Sequence, residues 1–523
     1  MFPIVHCDNL RRVTGGQTAE SLAGFLGRHR LPVLLIYTIL FVGPLVVRAA
    51  AKPFWHDEIY TVLLARLPTL SAHWAALHDG PDLAPPLNAF ATRVVLSVVG
   101  VGHVTARIPA MVGSLTMTLA VFTMVFKRSN ATLALAGACI PFFTAAYRYS
   151  YEARPYGLMM GLTALAWMAW SEAAAGRRRR RNLLILGLSL SAGLWNHYFA
   201  ALVYVPIGIG EVVRSVRARR IDGVLWAVVA ASLAAALPLY PLIRLSAEQS
   251  PSFWSRPSIG DIPAAYQFLF GTLADTFRWP IAAIAILIVI ARFRSFTPRA
   301  SSVTAAPHEV AAAIACLLLP LFGVLLAVFA TGAFVPRYGL STVAGVGVIV
   351  PLAVGRLARR APICEIVLLI ALAGVYVSSL AQLFPVPRFQ NPVDTRPLLL
   401  KSLQMPGPTV SSSELWYLQL WYYAPPSLKP RLVYLADPAS ARRYRGSDMI
   451  DRGYLALSHW VPLPVEPFDA FVQRQRAFRV YATGASWLLD RLRDEHAAVE
   501  RRGTEPGGQL YDASLPSPPP SLK

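Results

Sequence analysis

Long apolar stretches separated by short polar or basic segments make up most of the chain as far as residue 384. A transmembrane helix needs about 20 mostly apolar residues, because each residue adds 1.5 Å across a hydrocarbon core of about 30 Å. The stretches that fit this description are 31–48, 108–126, 130–149, 156–173, 182–196, 199–213, 222–243, 279–293, 310–330, 338–355 and 362–383. The pattern predicts an all-α polytopic membrane protein with about eleven transmembrane helices.

Two parts of the chain depart from this pattern. Residues 86–100 are too short and too polar for a span, and we interpret them as an interfacial helix on the outer surface. After residue 384, short β-rich segments alternate with helix-like segments, which predicts a small α/β domain. The β-rich segments are 431–435 and 477–481, and the helix-like segments are 414–423 and 487–502.

These segments define the predicted domain organisation. It consists of an N-terminal tail (1–30), a transmembrane domain (31–384) with a long outer loop (49–107), a soluble α/β domain (385–515) and a disordered Pro-rich terminus (516–523). The N-terminal residues lack a short apolar region followed by a cleavage site, so we expect the first apolar stretch to be a retained span.

The charge distribution predicts the orientation of the protein. Of its 523 residues, 49 are Lys or Arg and 28 are Asp or Glu, which gives a formal net charge of +21, and 55% of the residues are hydrophobic. This composition excludes a disordered or fibrous protein and argues against a soluble enzyme. The basic residues lie between apolar stretches, as at 177–181, 214–220 and 356–360, which is typical of cytoplasmic loops and not of nucleic-acid binding. We therefore expect no nucleic-acid partner, a cytoplasmic N-terminus and an extracytoplasmic C-terminal domain.

Acidic residues mark two places in the predicted outer loop 49–107. Asp57 and Glu58 follow the first span and are bracketed by aromatic residues, and a carboxylate in such a place can act as a general base. A solvated loop with interfacial aromatics is the alternative interpretation. Asp82 precedes the pair Pro85-Pro86, which holds the backbone extended and so aims this carboxylate, although such clusters are also ordinary turns.

Arginines mark two further boundaries. Glu152 and Arg154 lie at the outer end of one predicted span, and Arg337 lies at the outer end of another. A structural Glu–Arg pair and an ordinary interfacial arginine are the alternatives. Two arginines on one face can supply forked donors for a phosphate. Together the four motifs are expected for a reaction between a phosphate-linked lipid and an acceptor hydroxyl.

The order of these motifs resembles that of bacterial GT-C glycosyltransferases, in particular the glycosyltransferase family 39-like group, which includes protein O-mannosyltransferases and lipid A aminoarabinose transferases. The matching pieces lie within residues 30–355 and are Asp57-Glu58, 82–87, 107–110, 152–156, His197-Tyr198 and 336–338. Many relatives carry His-Pro-Pro-Leu where this chain has Ala84 before the two prolines.

The resemblance implies a multi-span fold with an outward cavity, a polyprenyl-phosphate sugar as donor and transfer that inverts the anomeric centre. It implies that Asp57 is the catalytic base and that Glu58 supports it. It also implies that Asp82 and Glu152 position the acceptor or a divalent cation.

The remaining candidates are substrate contacts. Stabilisation of the leaving phosphate is the main chemical need, which Arg154 and Arg337 could meet. Tyr156, His197 and Tyr338 are further candidates, with a satisfied interfacial histidine as the alternative for His197.

No cofactor follows with certainty from the sequence. A Gly-rich phosphate loop for a sugar nucleotide is absent from the sequence. A divalent metal held by His56 and His78 with Asp82 or Glu152 is one alternative, but their spacing matches no compact metal motif.

The predicted function is that of a glycosyltransferase in the bacterial cytoplasmic (inner) membrane, with a lipid, glycan or protein acceptor. A transporter or flippase for a lipid-linked sugar is the main alternative, but transporters commonly contain two related halves with charges near the midplane. Here no internal repeat is evident and the acids lie at span ends. A scaffold that displays the C-terminal domain is a third alternative, and it leaves the outward acids and arginines unexplained.

Overall fold

The computed structural model describes residues 8–293, 303–357, 363–381 and 383–516. Part of the basic loop 356–360 and the predicted disordered terminus from residue 517 lie outside the described residues. The first part of the chain contains α1 (Asp8–Arg28), α2 (Arg30–Ala51), α3 (His56–Ala65), α4 (Leu70–Asp79) and α5 (Leu87–Val99). Residues 8–28, which the sequence places in a tail, are therefore helical.

The helices that follow form the rest of the bundle. They are α6 (Ile108–Phe126), α7 (Ala131–Cys139), α8 (Ala145–Tyr149), α9 (Tyr156–Ala174), α10 (Arg179–Asn196), α11 (Tyr204–Ala218), α12 (Gly223–Ala234), α13 (Tyr240–Gln249), α14 (Asp261–Phe293), α15 (Pro307–Leu317), α16 (Leu319–Leu326), α17 (Thr342–Leu357) and α18 (Ile363–Ala381). Each of the eleven predicted spans falls largely on α2 or on these helices, which confirms a mostly helical multi-pass membrane protein.

Six helical stretches among the described residues are long and apolar enough to cross a membrane. They are Arg30–Ala51, Thr105–Phe126, Tyr198–Ala218, Gly223–Ser252, Asp261–Ile290 and Ile363–Ala381. A seventh results if Pro307–Leu317 and Leu319–Thr331, which are bent by 54°, count as one span. The total of eleven spans stays a prediction.

Helices α6 and α9 pack with their backbones in contact. A Cβ atom added at Gly113 of α6 would lie 2.3 Å from the carbonyl oxygen of Gly157 in α9. One added at Gly161 would lie 2.3 Å from the carbonyl oxygen of Gly113. Small residues permit this close approach between membrane helices. Because Arg107 precedes α6 and residues 150–155 precede α9, the contact brings these two segments together at one end of the bundle.

The opposite end of the bundle carries basic loops. Helix α6 has 19 residues and is therefore about 28 Å long, which separates Arg107 from Arg128. Arg128 pairs with Glu309 and, at 3.2 Å, with Glu172. Which end of the bundle faces the cytoplasm stays a prediction.

Helix α5 forms where the sequence predicts an interfacial helix. Val94, Val98 and Val99 on this helix are 63%, 80% and 61% exposed. An exposed apolar face suits a helix that lies against lipid. Its location at a membrane surface stays a prediction.

The C-terminal domain combines one six-stranded sheet with helices, which confirms the predicted α/β class. Its elements are α19 (Pro397–Gln404), β1 (Thr409–Ser411), α20 (Glu414–Tyr423), β2 (Leu432–Ala436), α21 (Pro438–Arg445), α22 (Met449–Ser458), β3 (Val465–Pro467), α23 (Phe468–Arg474), β4 (Ala477–Ala482), α24 (Trp487–Asp494), β5 (Ala498–Glu505) and β6 (Gly508–Ser514). The strand order is β3-β2-β1-β4-β6-β5. Strands β1 to β4 are parallel, and the pairs β4–β6 and β5–β6 are antiparallel.

The predicted helix over 487–502 is wrong beyond Asp494. His496 adopts a φ of 56°, and β5 then pairs with β6 across a turn at Gly507, whose φ is 77°. Pairing with β6 satisfies the backbone groups of this charged segment, so tertiary context outweighs the helical tendency of its residues.

The C-terminal domain docks on the loop between α2 and α6. One apolar core contains Phe54 and Ile59 from this loop together with Tyr417 and Tyr454 from the domain. The domain therefore covers the loop that carries the two adjacent carboxylates.

We expect Gly113→Ala to disrupt the α6–α9 contact, because the new methyl group would overlap the α9 backbone. Overpacking of this kind typically costs about 1–3 kcal/mol and occasionally more. The melting temperature and the monodisperse yield in detergent should both fall. Gly208→Ala is the matched control, because nothing lies within 4 Å of a Cβ at this glycine of α11. An unchanged melting temperature for Gly113→Ala would contradict the importance of the contact.

Candidate active site

A fully buried ion pair connects α3 to the residue before α6. Arg107 Nε donates to Glu58 Oε1 at 2.7 Å, and Arg107 Nη2 donates to Glu58 Oε2 at 2.8 Å. The same guanidinium donates to three backbone carbonyls within residues 49–53 at 2.6 to 3.3 Å. Glu58 also accepts the Ala153 amide at 2.7 Å. The pair therefore holds three separate segments of the chain together.

The two adjacent carboxylates of α3 have different environments. The Asp57 side chain is 23% exposed, whereas the Glu58 side chain is 0% exposed. Asp57 Oδ2 lies 3.9 Å from Arg337 Nη2. Asp57 is therefore accessible to a ligand, and Glu58 is occupied by its structural contacts.

Arg154 joins Asp82 to the backbone of α3. Its Nη1 donates to Asp82 Oδ2 at 2.9 Å and to the Asp57 carbonyl at 3.1 Å. Burial disfavours the charge on Arg154, but the carboxylates of Asp82 and Asp57 outweigh this effect and raise its pKa. Its Nε is buried without a partner, so this cation retains one donor for a further contact.

Aromatic rings surround Arg337. Its Nε donates to the Tyr156 hydroxyl at 2.7 Å, and its guanidinium lies 5.7 Å from the centre of that ring. The rings of Tyr156, His197 and Tyr338 lie 4.9 to 6.4 Å apart. His197 Nδ1 accepts the Phe199 amide at 3.1 Å, which places the proton of a neutral ring on Nε2 as a donor.

Lys52 connects the remaining acid to the buried pair. Its Nζ donates to Glu152 Oε1 at 2.8 Å and lies 3.9 Å from Glu58 Oε2. Burial raises the pKa of Glu152, although Lys52 opposes this shift. Glu152 Oε2 is buried without a partner, so one oxygen of this carboxyl group has no hydrogen bond among the described residues.

The structure brings the nine site residues named from the sequence into one connected cluster. They are Asp57, Glu58, Asp82, Glu152, Arg154, Tyr156, His197, Arg337 and Tyr338. Their individual roles stay predictions. Sequence analysis gave no role to Lys52 and Arg107, although a charge at the end of a span is expected to pair. It also gave no role to Asn196 or Tyr198, whose side-chain oxygens are buried without hydrogen-bond partners.

The structure does not gather the residues of the metal alternative. His56 Nδ1 lies 3.1 Å from the Tyr454 hydroxyl. His78 Nδ1 lies 2.9 Å from the Trp74 carbonyl at an exposed position. Within the described ranges, no three His, Cys, Asp or Glu side chains are grouped to hold a metal ion. The arrangement of these residues therefore does not fit a resident metal ion.

Comparisons with known proteins concern the family and the fold of this chain. Residues 83–244 match the sequence model of a family described as dolichyl-phosphate-mannose-protein mannosyltransferase. No curated protein sequence matches the chain. A crystal structure of ArnT from Cupriavidus metallidurans in the apo state has a TM-score of 0.57 and 12% identity, over 92% of this chain and 98% of that one. The resemblance to GT-C glycosyltransferases of the family 39-like group is confirmed.

A second structure of the same ArnT, bound to undecaprenyl phosphate, shares the GT-C fold of this chain. Its TM-score is 0.55 and its sequence identity is 14%. The match covers 94% of this chain and 100% of the ArnT chain. The segment that matches the mannosyltransferase family contains Arg107, Glu152 and Arg154. Asp57 and Arg337 lie outside this segment in sequence but contact it in space.

We expect Glu58→Gln to destabilise the GT-C fold, because it leaves the buried Arg107 guanidinium without its counter-charge. Breaking a buried pair on one side costs about 3–5 kcal/mol. The melting temperature of the purified protein should fall well below that of the wild type. Asp57→Asn, the neighbouring change at a partly exposed carboxylate, should leave the melting temperature unchanged. Equal melting temperatures for the two variants would contradict the structural role of Glu58.

Proposed function

We propose that this protein is a membrane glycosyltransferase of the bacterial inner membrane. It transfers a sugar from a polyprenyl-phosphate donor to a hydroxyl of a lipid, glycan or protein on the extracytoplasmic face. The family match and the shared fold support the general class. In this orientation the N-terminus is cytoplasmic, and the C-terminal domain covers the site from outside.

The placement of Asp57 carries the proposal. Asp57 is the carboxylate of the adjacent pair that is open to a ligand, and Arg337 lies 3.9 Å from its Oδ2. A base for the acceptor and a cation for the donor phosphate thus stand side by side. Transfer uses a group of each kind, because the hydroxyl loses a proton while the phosphate gains charge.

In the proposed reaction Asp57 accepts the proton of the acceptor hydroxyl. The acceptor oxygen attacks the anomeric carbon from the side opposite the phosphate and forms the new glycosidic bond. The bond between the anomeric carbon and the phosphate oxygen breaks, and its electron pair stays on that oxygen. The products are an inverted glycoside and a polyprenyl phosphate with one additional negative charge.

Arg337 and Arg154 differ in the proposed contact with the phosphate. Arg154 already donates to Asp82 and to the Asp57 carbonyl, so part of its charge is neutralised. Arg337 hydrogen-bonds to the neutral Tyr156 hydroxyl, and its carboxylate neighbour Asp57 is more distant, at 3.9 Å, so more of its charge is available to the leaving group. The Nε2 proton of His197 supplies a further donor, and Tyr338 packs against that ring. Asp82 and Glu152 position the acceptor.

We expect Asp57→Asn to lower the rate of transfer by about 10²–10⁴-fold, the contribution of general base catalysis. The measurement is single-turnover release of labelled sugar from a polyprenyl-phosphate sugar by purified protein in lipid. Asp469→Asn, at a side chain that is 74% exposed in the C-terminal domain, is the matched control. A near-normal rate for Asp57→Asn would remove the proposed mechanism. A lack of turnover by the wild type across a range of sugars and acceptors would favour the transporter alternative.

We expect Arg337→Ala to weaken donor binding more than acceptor binding. Hydrogen bonds to charged groups contribute about 1.5–3 kcal/mol, which corresponds to roughly 10- to 100-fold in affinity. The effect of Arg154→Ala on donor affinity should have the same direction and be smaller. Titration with polyprenyl phosphate measures this affinity, and Arg493→Ala at an exposed arginine is the control. Unchanged donor affinity in Arg337→Ala would refute the phosphate contact.

A further inference from the structure

The segment between α2 and α3 has neither helix nor strand, so its backbone groups need partners from elsewhere. Arg107 donates to the carbonyls of Lys52 and Pro53. The Trp55 amide donates to Glu58 Oε2 at 3.3 Å, and the Trp55 carbonyl accepts an amide of α3 at 3.1 Å. The transmembrane domain thus satisfies the groups on both sides of Phe54.

The backbone of Phe54 is held by the C-terminal domain. The Phe54 amide donates to the Tyr423 hydroxyl at 2.7 Å, and the Phe54 carbonyl accepts from Gln419 Nε2 at 2.6 Å. The Tyr423 hydroxyl also forms a hydrogen bond with His103 Nε2, which lies 2.7 Å away. Burial lowers the pKa of His103, which favours its neutral ring. Helix α20 therefore supplies both partners of one residue of the loop.

A second contact from the domain lies next to Asp57. Tyr454 of α22 donates to the Glu414 carbonyl at 2.6 Å, so its oxygen accepts from His56 Nδ1 at 3.1 Å. Its ring also stacks on Tyr60, with centroids 6.1 Å apart and planes 8° apart. The domain therefore holds residues on both sides of Asp57. We call Gln419, Tyr423 and Tyr454 the domain clamp.

We propose that the domain clamp positions Asp57 for catalysis, an inference that rests on the proposed function. The clamp holds Phe54 and His56 from one side, while Arg107 and Glu58 hold the same segment from the other. Asp57 is thereby held at its distance from Arg337. A misplacement of about 1 Å at a reacting group can lower a rate about 100-fold, so loss of the clamp should affect the chemical step and spare donor binding.

A contact of the same kind elsewhere on the interface provides a matched control. Trp460 Nε1 of the domain donates to Asp79 Oδ2 at 2.7 Å, at the far end of α4 from α3. Trp460→Phe removes a hydrogen bond between the same two parts of the protein without touching the segment before Asp57. A domain that only docks would respond alike to Trp460→Phe and to clamp variants.

The experiment compares Tyr423→Phe and Gln419→Met with Trp460→Phe in the full-length protein in lipid. For each variant we would measure the single-turnover rate, the affinity for polyprenyl phosphate and the amide hydrogen exchange of the peptide covering residues 53–58. We expect each clamp variant to lower the rate at least tenfold, to change donor affinity less than twofold and to speed exchange of this peptide at least tenfold. Trp460→Phe should match the wild type in all three.

Two results would overturn the inference. The first is that both clamp variants keep the wild-type transfer rate and the wild-type amide exchange. The second is that Trp460→Phe lowers the transfer rate as much as the clamp variants do. Melting temperatures identify a clamp variant that fails to fold. In that case the other clamp variant tests the inference. Hydrogen exchange needs no substrate. If the wild type shows no turnover, the proposed function fails, and unchanged exchange in the clamp variants would separately show that the clamp does not hold the segment.

Discussion

The buried pair of Arg107 and Glu58 is the interaction on which the geometry of the site depends. Removing two charges from water is costly unless each is paired and its remaining donors and acceptors are bonded. Here the end of α2, Trp55 at the start of α3 and the loop before α9 supply those bonds. None of the three segments can move away without leaving a buried charge poorly compensated. Because Asp57 is adjacent to Glu58 in the chain, the contacts that fix Glu58 also fix the position of Asp57.

Two other constraints act on the same place from different directions. The glycine contact between α6 and α9 sets how closely the segments around Arg107 and Glu152 approach each other. From the opposite side, the sheet domain supplies hydrogen bonds to the backbone of Phe54. The accessible carboxylate thus lies where the helical bundle and the sheet domain meet, and neither part defines its surroundings alone.

Local patterns in the sequence predicted much of the bundle and the membership of the site. Apolar stretches of helical length mark the spans. Asp57, Arg154 and Arg337 can be identified because a charged side chain at the end of a span is energetically unfavourable and is therefore usually functional. The different environments of Asp57 and Glu58 depend on Arg107, which is 49 residues away from Glu58. The strand at 498–505 depends on its pairing with β6. Such contacts are nonlocal, and a single sequence does not show which distant side chains meet.

The hydrogen bond between Phe54 and Tyr423 spans 369 residues, which has a consequence for biogenesis. At about 5–20 residues per second, synthesis of Tyr423 follows that of Phe54 by roughly 20–70 s. The loop that carries Asp57 is thus made among the first parts of the protein, yet it acquires the last of its backbone partners only after the sheet domain has emerged and folded. The newly inserted bundle therefore lacks, for this period, the hydrogen bond from the Phe54 amide to Tyr423.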